Sequence, residues 1–246
     1  MAPVVRTTTT GWQARIDSFL AHRPDVALMA PMMVYLALLG VRDLLPPEHG
    51  VWAALLRGVG GLLAVWVVRR HLPPWGAPHW RIAIPAGILV AIGWVVGQHF
   101  FNSLGVPVRL PLPLFGEAGP PVDPRDVLGS EKLYWWSVVT RIAVAVITVP
   151  IVEEIFWRAF LLRALVSWAD FERVPLGRFT WFSFLGTSLL STVQHPDNWL
   201  VSIFCWMAFN ALFYWRPSVL FLVIVHGVTN LALYVYVVEA GDWMFW

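Results

Sequence analysis

The chain has 246 residues, 58% of them hydrophobic and 13% charged, with a net charge of +2 and a mean hydropathy of +0.66. Its charged fraction is about half that of an average soluble domain, which excludes an ordinary soluble globule and predicts an all-α, polytopic transmembrane helical bundle. So little net charge offers no basic face for nucleic acid, and none is expected as a partner. The 16 tryptophans suit a membrane, because indole rings favour the headgroup level; membrane lipid is therefore the first expected partner.

Residues 1–25 have no apolar core and carry Arg6, Arg15 and Arg23, unlike a cleavable signal peptide. They read as a cytoplasmic or interfacial N-terminal segment, with the first spanning helix as the insertion signal. Residues 26–246 read as a single transmembrane domain. A span needs about 20 mostly apolar residues, and seven stretches qualify approximately: 26–45, 51–68, 82–101, 138–162, 179–195, 199–215 and 218–238. An eighth can be drawn in 124–140, so about seven or eight spans are expected. Short links carry turn chemistry, as in Pro46-Pro47-Glu48-His49-Gly50 and Pro73-Pro74-Trp75-Gly76. The long link 102–132, rich in proline and glycine, reads as an extended surface loop or re-entrant lid.

Arginine falls in alternate links: in the N-terminal segment, at Arg69, Arg70 and Arg81, and at Arg173 and Arg178. With seven spans this predicts a cytoplasmic N-terminus and an external C-terminus, with the long link outside. Cys205, the single cysteine, lies in an apolar run. It excludes an internal disulfide and a cysteine-based metal cluster, and is expected to pack against lipid or a neighbouring helix.

Chemistry is expected in a core spanning residues 133–238. Glu153, Glu154 and Arg158 have apolar residues on both sides, and ionisable groups inside a spanning helix are a functional-site hypothesis by default. Helical phasing divides them. Glu154 and Arg158, four residues apart, share a face and can pair, whereas Glu153 is rotated away and left without a cation of its own. A carboxylate in that position is suited to act as a general base. Pro150 removes a backbone hydrogen bond and can kink the helix beside the carboxylates. The alternative is a buried ion-pair network that fixes helix packing, although one arginine leaves the second glutamate surplus.

His195 precedes Pro196 and should sit at the end of its helix, with Asp197 or Asn198 free to cap the next one. His226 and Asn230, four apart in an apolar run, project from one face and can donate to a developing oxyanion; equally, they can bond neighbouring helices. Gly227 between them allows close approach of another helix or of a substrate backbone. His22, His49, His71, His79 and His99 fall in links or at span ends and are not assigned to a site.

Glu-Glu-x-x-x-Arg on one helix, a histidine ending a later one and His-x-x-x-Asn on the last resemble the CAAX-protease and bacteriocin-processing family of intramembrane proteases. The match runs in order over residues 150–232. The resemblance implies an intramembrane endopeptidase that cuts a membrane-anchored or lipid-modified protein near its C-terminal anchor. It makes Glu153 the base that activates water, His195 a residue that orients or polarises that water, Glu154 and Arg158 a supporting pair, and His226 and Asn230 the oxyanion donors. One position departs: Ser191 stands where the family has phenylalanine, four residues before the histidine. The tryptophan-rich style and the segment 179–184 are similar to a bacterial branch tied to C-terminal sorting signals, which implies the cytoplasmic membrane of a bacterium.

Glutamate-activated water without a cofactor is the expected chemistry. The alternative is zinc or another divalent metal held by Glu153, His195 and His226, since two histidines and a glutamate form an established catalytic set. The compact pairing of two histidines one turn apart is missing from the sequence. Two other function classes stay open: a transporter or proton relay built on intramembrane Glu and His, and a non-catalytic immunity or binding protein.

Overall fold

The computed structural model describes residues 11–46, 49–112, 119 and 121–246. Arg6, Pro47, Glu48 and most of the tip of the long link (113–118 and 120) lie outside the described residues. Among the described residues every regular element is a helix. α1 (Gly11–His22), α2 (Pro24–Leu39), α3 (Gly50–Val68) and α4 (Trp80–Ser103) come first, and a short α5 (Pro124–Leu128) follows the long link. α6 is a continuous helical rod over 131–164, after which come α7 (Trp181–Gln194), α8 (Trp199–Trp215) and α9 (Val219–Ala240).

Gly50–His71, Trp80–Ser103 and Val219–Ala240 are long and apolar enough to cross a membrane, and Pro24–Leu39 is apolar but shorter. Seven or eight spans are not reached on this measure. α7 and α8 have only 14 and 17 residues, and α6 interrupts its apolar run with Glu153, Glu154 and Arg158. Nor is 124–140 a separate span: α5 has 5 residues and ends at Gly129, whose φ of 60° breaks the helix just before the rod begins. Outward-facing Leu63, Leu89, Val96, Leu189 and Val193 are each more than half exposed, the surface an integral membrane protein presents to lipid.

α6 occupies the middle of the bundle, with α2 and α3 on one side and α9 on another. α4 packs along α9 and α8, and α7 lies on α8. Small residues and interhelical polar bonds make these contacts, as bilayer packing favours. Thr148 Oγ1 donates to the Gly58 carbonyl at 3.3 Å, and Thr229 Oγ1 to the Gly87 carbonyl at 3.1 Å. Asn210 Nδ2 on α8 donates to Thr187 Oγ1 and Ser188 Oγ on α7, at 2.9 and 3.2 Å.

The rod is not uniformly α-helical. Val144–Thr148 and Ile155–Leu161 are π turns on either side of Val149–Glu154. Pro150 accounts for the first. Val149 N–H reaches back to the Val144 carbonyl, one residue further than in an α-helix, and Pro150 has no N–H to give. The Ala145 carbonyl therefore loses its backbone donor at both the four- and five-residue spacings, and a side chain from α9 takes it.

Two contacts outside the bundle matter for placement. Asp17 on α1 accepts from Arg70 at 2.8 Å and contacts His71 at 3.2 Å, tying the N-terminal helix to the end of α3. The described part of the long link lies on the α7–α8 corner: Leu110 N–H donates to the Pro196 carbonyl at 2.7 Å, Trp199 Nε1 to the Pro107 carbonyl at 3.0 Å, and Arg109 pairs with Asp197.

Candidate active site

Glu153, Glu154 and Arg158 are all buried, at 2%, 0% and 0% exposure. Arg158 Nη1 donates to Glu154 Oε1 at 3.3 Å, and its Nε lies 3.1 Å from Oε2, close enough to pair though not aligned as a hydrogen bond. Glu154 takes a second partner that phasing along one helix could not supply: His226 Nδ1 on α9, 2.8 Å from Oε1. The flat faces of the guanidinium meet aromatic rings, with Arg158 Cζ 5.6 Å from the Trp206 centroid and 5.5 Å from that of Phe209. A buried cation is stabilised there by both a carboxylate and ring quadrupoles.

Glu153 has a different set. Gln194 Nε2 donates to its Oε1 in a short contact, and Trp157 Nε1 donates to Gln194 Oε1 at 3.0 Å. The chain Trp157–Gln194–Glu153 leaves Glu153 Oε2 without a hydrogen-bond partner among the described residues. Gln194 and Trp157 are site residues that the sequence reading missed. The available signal was weak: a carboxamide at the apolar end of α7, next to the candidate histidine.

α7 ends at Gln194, and His195 has φ −122° and ψ 60°, a non-helical conformation suited to the residue before a proline. Its ring packs edge-on to Trp94 and tilted against Trp206, with centroids 5.5 and 5.1 Å away. His195 Nε2 has no hydrogen-bond partner among the described residues. Asn198 occupies the N-cap position of α8 but its side chain makes no capping bond, and Asp197 pairs with Arg109 instead. Neither residue caps α8 in the way the sequence suggests.

A cavity of about 620 Å³ joins these elements, lined among others by Glu153, His195, His226 and Asn230. Asn230 Nδ2 donates at 2.7 Å to the Ala145 carbonyl, the one stranded by Pro150. One of its two N–H bonds is thus committed to structure, leaving the other for chemistry. Gly227 allows α9 to sit on α6, since a Cβ there would lie 2.9 Å from the Val146 carbonyl. The approaching backbone is that of α6. Ser191 is fully buried, donating to the Ser188 carbonyl at 2.7 Å and facing Ser202 at 3.2 Å. Cys205 lines the cavity wall and packs in the interior with Trp206 and Phe209 rather than against lipid.

No group of three His, Cys, Asp or Glu among the described residues is arranged to hold a metal ion. Glu153, His195 and His226 share the cavity without forming such a set, and His226 Nδ1 is taken by Glu154. The unassigned histidines lie elsewhere: His71 contacts Asp17 and His99 contacts Asp242.

Residues 135–232, less than half of the chain, match the family model described as type II CAAX prenyl endopeptidase Rce1-like. Over that segment the chain is similar to the Rce1-like endopeptidases of the CAAX-protease family. The family model describes an endopeptidase, so the similarity points to a protease. The matched residues contain α7 and α8 entirely and carry Glu153, Glu154, Arg158, His195 and His226. No curated protein and no solved structure matches the chain.

Proposed function

We propose that the chain is a glutamic-type intramembrane endopeptidase that cuts a membrane-anchored or lipid-modified protein near its C-terminal anchor. The observation that carries this reading is the asymmetry of Glu153: one oxygen is held by Gln194, while the other is unpartnered beside a cavity that also receives His195, His226 and Asn230. A base held at one oxygen and free at the other is positioned to take a proton from water.

In this reading Glu153 Oε2 accepts a proton as the water oxygen adds to the scissile carbonyl carbon. The carbonyl π pair moves onto oxygen, and N–H donors of His226 and Asn230 face the resulting oxyanion. Collapse breaks the C–N bond, and the proton on Glu153 passes to the leaving amine. With Nδ1 of His226 directed at Glu154, its Nε2 is the ring nitrogen left to face the oxyanion. His195 orients the attacking water through Nε2.

The proposed substrates are proteins with a C-terminal sorting tail of short motif, spanning helix and basic residues. The proposed setting is the bacterial cytoplasmic membrane, with the N-terminus inside. The test is cleavage of such a tail in detergent by wild type, Glu153→Gln and His195→Ala, with and without chelator. Wild type should cut with chelator present and Glu153→Gln should not cut. Loss of cleavage with chelator, restored by zinc, would replace the glutamate mechanism with a metal one.

A further inference from the structure

Two cations stand beside the same cavity with no role in the mechanism above. Arg57 on α3 and Arg141 on α6 both line it, and both also line a neighbouring cavity of about 250 Å³ against α5. They form part of the wall between the two. Neither has a carboxylate partner among the described residues. Arg57 instead lies over the Tyr35 ring, 5.1 Å from its centroid, and its Nε is buried without a hydrogen-bond partner. Arg141 lies over Trp246 at 4.5 Å and donates weakly to Tyr234 Oη at 3.4 Å. Tyr35 and Glu153 line the same cavity as both arginines, which places the three charges around one space.

Two half-buried guanidinium groups facing one cavity repel each other and are costly to keep from water, unless an anion joins them. Aromatic stacking holds each head group by its face, leaving the N–H edges for a planar, two-oxygen acceptor. We propose that Arg57 and Arg141 form a subsite for a carboxylate, the free C-terminus of the peptide that lies across Glu153. This rests on the lipid-modified branch of the endopeptidase reading, with the cut a few residues from the chain end rather than ahead of a spanning helix, and adds a direction to it: the chain end points toward the α3 and α5 side. The spacing suits a short product. Arg141 and Glu153 are 12 residues apart on one rod, about 18 Å between backbones at about 1.5 Å per residue. Their side chains shorten that gap to the reach of a few extended residues at about 3.3 Å each.

The test is binding rather than turnover. The full chain in detergent is unfolded thermally with increasing amounts of an N-acetylated apolar tripeptide, as the free acid and as the C-terminal amide. Phosphatidylglycerol and inorganic phosphate are run in parallel. The acid should bind about tenfold or more tightly than the amide, the scale of one charge-assisted contact. Arg57→Gln with Arg141→Gln should erase that ratio, and Arg57→Lys with Arg141→Lys should keep most of it. The ratio is read within each variant, so a change in basal stability does not confound it. Equal binding of acid and amide, no binding of either, or stabilisation by phosphatidylglycerol or phosphate alone would overturn the proposal. A chain that bound the acid but cleaved nothing would lose the protease reading and keep this one.

Discussion

Glu153 and Glu154 are neighbours in sequence with different partners. Glu154 is surrounded by Arg158 and His226, so its role is to hold positive groups in place. Replacing Arg158 with Met leaves a buried carboxylate against hydrophobic rings and should destabilise the chain by about 3–5 kcal/mol. Adding Glu154→Gln should restore much of that loss in thermal unfolding, whereas independent effects would simply add. At Glu153 the expectation is chemical: Glu153→Gln should fold like wild type and lose cleavage by at least about a hundredfold, the ordinary worth of a positioned base. Gln194→Met keeps the volume but frees Glu153 Oε1. It should lower kcat by about tenfold with little change in KM, because it loosens the base rather than the substrate. A rise in KM with kcat unchanged would make Gln194 a substrate contact instead.

Among the elements, the decisive contact is that between α6 and α9. Pro150 strands the Ala145 carbonyl, Asn230 satisfies it at 2.7 Å, and Gly227 lets the backbones meet. Asn230→Leu should cost about 1–3 kcal/mol for the unpaired carbonyl, in addition to any catalytic loss. Gly227→Leu should push α9 from α6 and separate His226 from Glu154, lowering the melting temperature and abolishing cleavage together. The N-terminal helix is held more lightly. Burial raises the pKa of Asp17, but hydrogen bonds from His71 and Arg70 outweigh it and hold the carboxyl below its ordinary value of 3.8. A depressed pKa means the tether is present above the ordinary value and is lost as pH falls below it. The protection of α1 amides, relative to the intrinsic exchange rate at each pH, should therefore fall in acid, and fall at neutral pH in Asp17→Asn, with that of α9 unchanged.

At the scale of the whole molecule, the arginines in alternate links lead to an expected inside N-terminus and outside C-terminus. A reporter active only outside the cell should therefore work when fused at the C-terminus and fail when fused at the N-terminus. Activity at both ends would show an even number of crossings. The span count was poorly legible because hydropathy windows assume a full crossing by each helix. Here α7 ends at Gln194 after only 14 residues, and α6 admits charges because neighbours cover them. The same coverage explains how Glu153, His195 and His226 reach one cavity although they lie on different elements.

The sequence by itself determined the class of the molecule, the pairing of Glu154 with Arg158 and the helix end at His195. All three follow from local rules: composition, a fixed helical period and the constraint a proline places on its predecessor. Tertiary structure alone decided that His226 serves Glu154, that Gln194 and Trp157 hold Glu153, that Trp206 packs between Arg158 and His195, and that Arg57 and Arg141 face the same space. Most of those contacts join residues dozens of positions apart, and no period along a helix encodes which face of a later helix will come to meet it.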